Sequence, residues 1–254
     1  MDSSLFSELL KSFSQNNSFS LQLVDNAGSI EEVQCSPLTL AQLREILSCA
    51  NDSTPVNSRF NKSIIRFLQS NLITSLSRQL TLIDKLCFVL QTRVNSISSI
   101  ASYEYNNKPF VIDVKQLHES VIKTFQRSKD LIKTQTATEE TLSVEFGLPL
   151  LATELQLFEE IYTDEYFNGP EETLASNIIF NEICSYIYSL KINSNYINLT
   201  DLTFSQRISL VEKLPVSLTV PIIEYMKQVK LLLSECTKVE GVSVPLDYTL
   251  FLLD

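Results

Sequence analysis

The sequence predicts an α+β fold, mainly helical: an N-terminal β-hairpin followed by a helical cluster, a mixed strand and helix middle, and a helical C-terminal third ending in an extended strand. Two patterns and one scarcity carry this reading. Apolar residues recur three and four positions apart along most of the chain, which is helix periodicity. Strict alternation is confined to short runs, which is strand periodicity. The 254-residue chain has only four glycines, too few for the phosphate-cradling loops of a Rossmann or P-loop enzyme. With 44% hydrophobic residues, a sizeable core is available and global disorder is excluded. Three regions follow: 1–100 (hairpin and helical cluster), 101–168 (mixed middle) and 169–254 (helical, with a terminal strand). They also fit one continuous domain.

In order, residues 4–13 form a short helix with Leu5, Leu9 and Leu10 on one face. FSLQLVD (19–25) alternates, Asn26–Ser29 turns, and IEEVQC (30–35) returns as the second strand of a hairpin. Thr39 caps a helix over 39–50 with Leu40, Leu43, Ile46 and Leu47 at helical spacing. Two more amphipathic helices cover 59–73 and 80–97. KPFVIDV (108–114) reads as a strand and 114–132 as a helix. Thr134–Thr138 is polar, and TLSVEFG (141–147) alternates as a strand, with Leu142, Val144 and Phe146 inward. An acidic helix over 153–167 ends at the strongest break, Asn168-Gly169-Pro170. Helices over 171–192, 204–214 and 216–236 follow. Thr203 caps the second, and Pro221 falls in the third where a first turn tolerates it. Residues 242–253 read as an extended edge strand marked by Pro245.

Charge narrows the function classes. Twenty basic and 30 acidic residues give a net charge of −10. Nucleic-acid affinity comes largely from Lys and Arg on phosphates, so no nucleic-acid partner is expected, and no anionic membrane surface. No apolar run is long enough to span a bilayer. The start of the chain lacks the pattern of a signal peptide. A protein partner is the default. Cys35, Cys49, Cys87, Cys184 and Cys236 are odd in number and form no CxxC pair, which predicts free thiols in a reducing compartment.

Each candidate site has a plain structural reading beside it. His118 is the one histidine, so any triad or metal site needing two is excluded, and a surface position is expected. Glu154, Glu159, Glu160, Asp164, Glu165, Glu171 and Glu172 lack calcium-loop spacing. They read as a solvated helix face or a docking patch for a basic partner. The helix at 80–97 is apolar around most of its circumference and predicts burial on more than one side. Its Asp84 and Arg93 are too far apart for an i,i+4 pair, so each needs its own partner or solvent exposure. Arg93 either ends a core helix or orients a neighbouring segment. Ile222, Ile223, Met226, Val229 and Leu233 form a stripe for core packing or for a partner helix. Tyr248, Leu250, Phe251 and Leu252 put large apolar side chains at the C-terminus. Left unpaired they would be an aggregation hazard, so they are expected to dock. Arg93, Tyr248, Leu250, Phe251 and Leu252 are thus the candidate partner-binding residues. No catalytic, cofactor-binding or metal-binding residue is expected.

The order of segments resembles the baseplate hub and hub-assembly family of T4-type contractile-tailed bacteriophages. The matching residues are Pro37, Leu38 and Thr39 after the hairpin; Ile83, Asp84, Leu86, Leu90 and Arg93 in an I-D-x-L-x-x-x-L-x-x-R helix; Leu214 and Pro215; and Leu250, Phe251 and Leu252. The match covers about three-quarters of the chain and contains no catalytic signature. It implies a non-enzymatic tail protein without cofactors, a hub-region structural subunit or an assembly chaperone absent from the finished particle. It would be assembled in the host cytoplasm and resident in the virion tail baseplate. Its partners would be other baseplate or hub proteins and copies of itself within the tail. Some relatives carry a cysteine pair near the C-terminal strand; only Cys236 stands there here, so no zinc is implied.

Overall fold

The computed structural model describes residues 17–52, 54–105, 108–168 and 171–252. The helix expected over 4–13 lies outside them. Strands β1 (Phe19–Val24) and β2 (Ile30–Cys35) form an antiparallel hairpin with Phe19 opposite Cys35. Alternation puts Leu21 and Leu23 fully inside. The connecting turn is closed by Asp25, whose carboxylate accepts from the N–H groups of Ala27 and Ser29 at 2.8 Å. Gly28 takes φ +79°, where an added Cβ would also lie 2.8 Å from the Lys129 side chain.

Helix α1 (Leu40–Ser48) begins in a capping box between Thr39 and Gln42. The expected Leu40 contact fails: at the first helical position it points away from the core and is 74% exposed. Helices α2 (Ser58–Asn71) and α3 (Leu82–Ser96) follow. As its composition predicts, α3 is buried almost all round, from Ile83 to Arg93. A hairpin of β3 (Ile100–Tyr105) and β4 (Lys108–Asp113) leads into α4 (Val114–Arg127). A helical turn at Lys129–Ile132 ends that region. Only β4 of this hairpin was read from the sequence.

The middle and last thirds meet in one four-stranded antiparallel sheet, in the order β5 (Gln135–Glu139), β6 (Leu142–Phe146), β7 (Ile187–Ile192), β8 (Asn195–Asn198). This corrects three expectations. The polar 134–138 segment is a strand, because β6 offers it a ladder. The helix expected over 171–192 ends at Tyr186: α6 spans Glu171–Tyr186, and IYSLKI continues as β7 between β6 and β8. The polar connector 193–198 contains the turn and β8, with Asn193 at φ +54°. Helix α5 (Leu151–Gln156) runs into a π-turn at Leu157–Ile161, and a short helix covers Asp164–Phe167. Helix α7 (Phe204–Val211) starts in the capping box of Thr203 with Gln206. Helix α8 (Val216–Cys236) lies across β5, β6, α4 and α6. Pro221 stands in its second turn, one turn deeper than expected, where it removes the donor due to the Ser217 carbonyl.

The chain end differs most from expectation. The strand expected over 242–253 is not continuous among its described residues, 242–252. Val242–Ser243 pairs only with Lys238–Val239, and Tyr248–Phe251 is a 3₁₀ turn. Asp247 is the reason: its carboxylate accepts from the Thr249 N–H at 2.8 Å and its hydroxyl at 2.6 Å, which bends the backbone out of an extended path. One continuous apolar core runs from the N-terminal hairpin to Phe251 and joins all three expected regions.

Candidate functional site

The five candidate partner-binding residues fall in one neighbourhood. Arg93, on the face of α3 shared with Leu86 and Leu90, is 1% exposed. Its Nε donates to the Leu250 carbonyl at 2.7 Å, Nη1 to Ser98 O at 2.7 Å and Nη2 to Ile100 O at 2.9 Å. The guanidinium fork thereby ties the C-terminal turn to the start of β3. Leu250 and Phe251 are fully buried, and the Phe251 ring lies 6.3 Å from that of Phe60. Tyr248 is half-buried. Leu252 alone of the five stands well out, 50% exposed. Burial therefore places Arg93, Leu250 and Phe251 inside the fold and leaves Leu252 open to solvent.

Between these two fixed segments lies a cleft of about 500 Å³. One wall is β3 from Ser102 to Tyr105, with Phe110 behind it. The other is Val242–Pro245 with Asp247, Thr249 and Leu252. The lining mixes aromatic and aliphatic side chains with Ser102, Ser243 and Thr249, and the Tyr105 and Phe110 rings stand 6.5 Å apart. Its two charged residues, Glu104 and Asp247, are both acidic. Sequence reasoning missed the β3 wall. The IASYEY run separated by two residues from KPFVID carried the signal for it.

The remaining candidates are structural. Asp84 is fully buried and accepts from both terminal nitrogens of Arg78, at 2.7 and 2.8 Å, and from the Thr81 N–H at 2.7 Å. The acidic run is not simply a solvated face. Glu154 pairs with Lys85 at 2.8 Å, Glu159 with Arg66 at 2.5 Å, and Glu160 accepts from the Phe204 N–H at 2.9 Å. His118 is buried rather than on the surface: it shares the apolar face of α4 with Val114, Val121 and Phe125. Burial lowers its pKa to about 4, partly offset by a hydrogen bond with the Gln22 backbone. The stripe Ile222, Met226 and Val229 faces the core. All five cysteines are free and buried. Desolvation pushes Cys35, Cys184 and Cys236 up to about 12 and Cys49 to about 11, so these thiols stay protonated and unreactive near neutral pH.

A second buried arginine was not foreseen. Arg207 donates to the carbonyls of Leu199 at 2.9 Å and Cys184 at 3.2 Å, and desolvation lowers its pKa to about 10. Its position on the same helical face as Phe204 and Val211 was the available signal. Among the described residues no cluster of His, Cys, Asp and Glu could hold a metal ion. No helix among them is long and apolar enough to cross a membrane.

No family model, curated protein or solved structure matches the chain.

Proposed function

We propose that this chain is a non-enzymatic structural component of a contractile-tail phage baseplate, in the hub region, that binds other tail proteins during assembly. One observation carries the reading. Two elements of the resemblance, the I-D-x-L-x-x-x-L-x-x-R helix and the terminal Leu250-Phe251-Leu252, are in direct contact through the Arg93–Leu250 hydrogen bond, 157 residues apart in sequence. Residues that match the pattern in α3 and in the C-terminal turn thus serve one device. That device holds open a cleft whose rim presents Leu252 and Tyr105, 50% and 49% exposed. Exposed apolar groups beside a rigid cleft suit protein docking. The other elements of the pattern support the same frame: Thr39 caps α1, Asp84 anchors the start of α3, and Pro215 precedes α8.

Quantitative mass spectrometry of purified particles tests the proposal. A hub subunit is present at fixed stoichiometry to the other baseplate proteins. Presence in infected-cell lysate with absence from finished particles assigns the chain instead to the assembly chaperones. Absence of any association with tail proteins in both samples rejects the tail reading.

A further inference from the structure

We infer that the cleft takes an extended segment of another protein as an added β-strand along β3, and that this segment alternates apolar and basic residues. The inference rests on the reading of the cleft as a protein-docking site and goes further by naming how the partner is held. The ladder register fixes which backbone groups are available. Val114 N donates to Ser99 O at 2.7 Å, and the pairing continues as Ala101 with Ile112, Tyr103 with Phe110 and Tyr105 with Lys108. In an antiparallel pair, hydrogen-bonded and non-hydrogen-bonded positions alternate. Ala101, Tyr103 and Tyr105 therefore turn their backbone groups to β4. Ile100, Ser102 and Glu104 turn theirs outward. Pro109, opposite Glu104, agrees with this parity, since it has no N–H to give β3.

The two outer edges are then unequal. The β4 edge carries Pro109, the usual device that blunts a strand against pairing. The β3 edge begins with Ile100, whose outward carbonyl is held by Arg93 and whose N–H meets Ser98 Oγ at 3.0 Å. Beyond it the outward backbone groups of Ser102 and Glu104 have no hydrogen-bond partner among the described residues. Both residues are exposed, and both line the cleft. Arg93 thus aligns the head of an unblunted edge with the opposite wall, which forms a slot for one strand.

Charge selects the occupant. Glu104 and Asp247 line the slot and no basic residue does, so a basic segment complements it. A second copy of the chain is disfavoured, since it would bring the acidic residues of the slot to an interface between two molecules of net charge −10.

The test uses the full chain and a capped eight-residue peptide alternating valine and lysine. Titration is followed by calorimetry and by backbone amide shifts. Binding with shifts at Ser102 and Glu104 is expected. At least tenfold weaker binding is expected for the valine–glutamate peptide, and for a valine–lysine peptide N-methylated on the residues that face β3. Ser102→Pro removes an outward donor without touching the ladder to β4 and should abolish binding; the N-methylated peptide asks the same question of the unaltered protein. Equal binding of the N-methylated peptide overturns strand addition while leaving the cleft as a docking site. Equal binding of the glutamate peptide overturns the basic occupant. No binding of any peptide at millimolar concentration overturns the strand slot, while particle mass spectrometry still decides the tail reading separately. A dimer in sedimentation that Ser102→Pro dissolves assigns the edge to a second copy and overturns the heterologous partner.

Discussion

Replacing Arg93 with methionine keeps an apolar stem in the same space and deletes the guanidinium fork. Three hydrogen bonds to carbonyls, at 2.7, 2.7 and 2.9 Å, are lost. The carbonyls of Ser98 and Ile100 lie near the surface and regain water. The Leu250 carbonyl lies in the buried turn and does not. An orphaned buried acceptor costs about 1–3 kcal/mol, and each charge-assisted bond contributes roughly 1.5–3 kcal/mol when intact. With two of the three losses partly recovered, the expected destabilisation is about 3–5 kcal/mol. For a chain of this length 1 kcal/mol moves Tm by roughly 2–4 °C, so a drop of roughly 6–20 °C is expected. Thermal melting and urea unfolding at neutral pH measure it. Arg93→Lys should lose about as much, because an ammonium cannot span three carbonyls as a planar fork does. Reading the sequence alone, Arg93 substitution should spare folding and impair assembly; burial at 1% exposure moves the expected loss to the isolated protein. A methionine variant that melts within about 2 °C of the parent would refute the clamp.

Leu86 is 6% exposed, and Leu86→Asp should lose several kcal/mol and fail to show a cooperative melt. Denatured protein alkylated without reductant should take five labels, one per free thiol, whereas the native protein at pH 8 should resist labelling, since burial holds the Cys35, Cys184 and Cys236 thiols up to about 12; a mass two units low per missing pair of labels would indicate a disulfide. Burial lowers His118 from 6.5 to about 4, so neutral His118 favours the fold above pH 6.5 and roughly 3 kcal/mol of stability is lost as pH falls from 6.5 to 4; His118→Leu should flatten that part of the urea-midpoint profile, and an unchanged slope would contradict it. Phe251→Ala should cost about 3–5 kcal/mol, while Leu252→Asp, half in solvent, should change stability by less than about 1 kcal/mol.

The hairpin β1–β2, the capped helices and the all-round burial of α3 were legible because each is local. Alternation, an N-cap Thr and apolar spacing fix them within a few residues. The β7 strand was not legible, since IYSLKI satisfies helical spacing with Ile183 and only the ladders of β6 and β8 decide otherwise. The same holds for β5, a polar segment made a strand by its neighbour. The C-terminal turn was lost to an alternating pattern that the Asp247–Thr249 hydrogen bonds override. At the site, Arg93 was singled out as a residue needing either its own partner or solvent, and Leu250–Leu252 as a segment needing to dock. That each is the other's partner depends on contacts across the whole chain, which no spacing reveals. His118 and Arg207 lie on apolar helix faces, so periodicity carried their burial although their polarity argued against it.

The central claim is that the cleft between β3 and the C-terminal turn is where other tail proteins dock. A photo-crosslinking amino acid placed at Leu252, on the rim and 50% exposed, tests it most directly. The same group at Val216, 76% exposed and outside the cleft lining, serves as the control. Both variants are irradiated in cells that produce the chain together with the remaining tail proteins, and adducts are identified by mass spectrometry. The account predicts adducts to a tail protein from position 252 and none from 216, with the 252 adducts lost in the Ser102→Pro background. No adduct from 252, or equal capture from both positions, would contradict it.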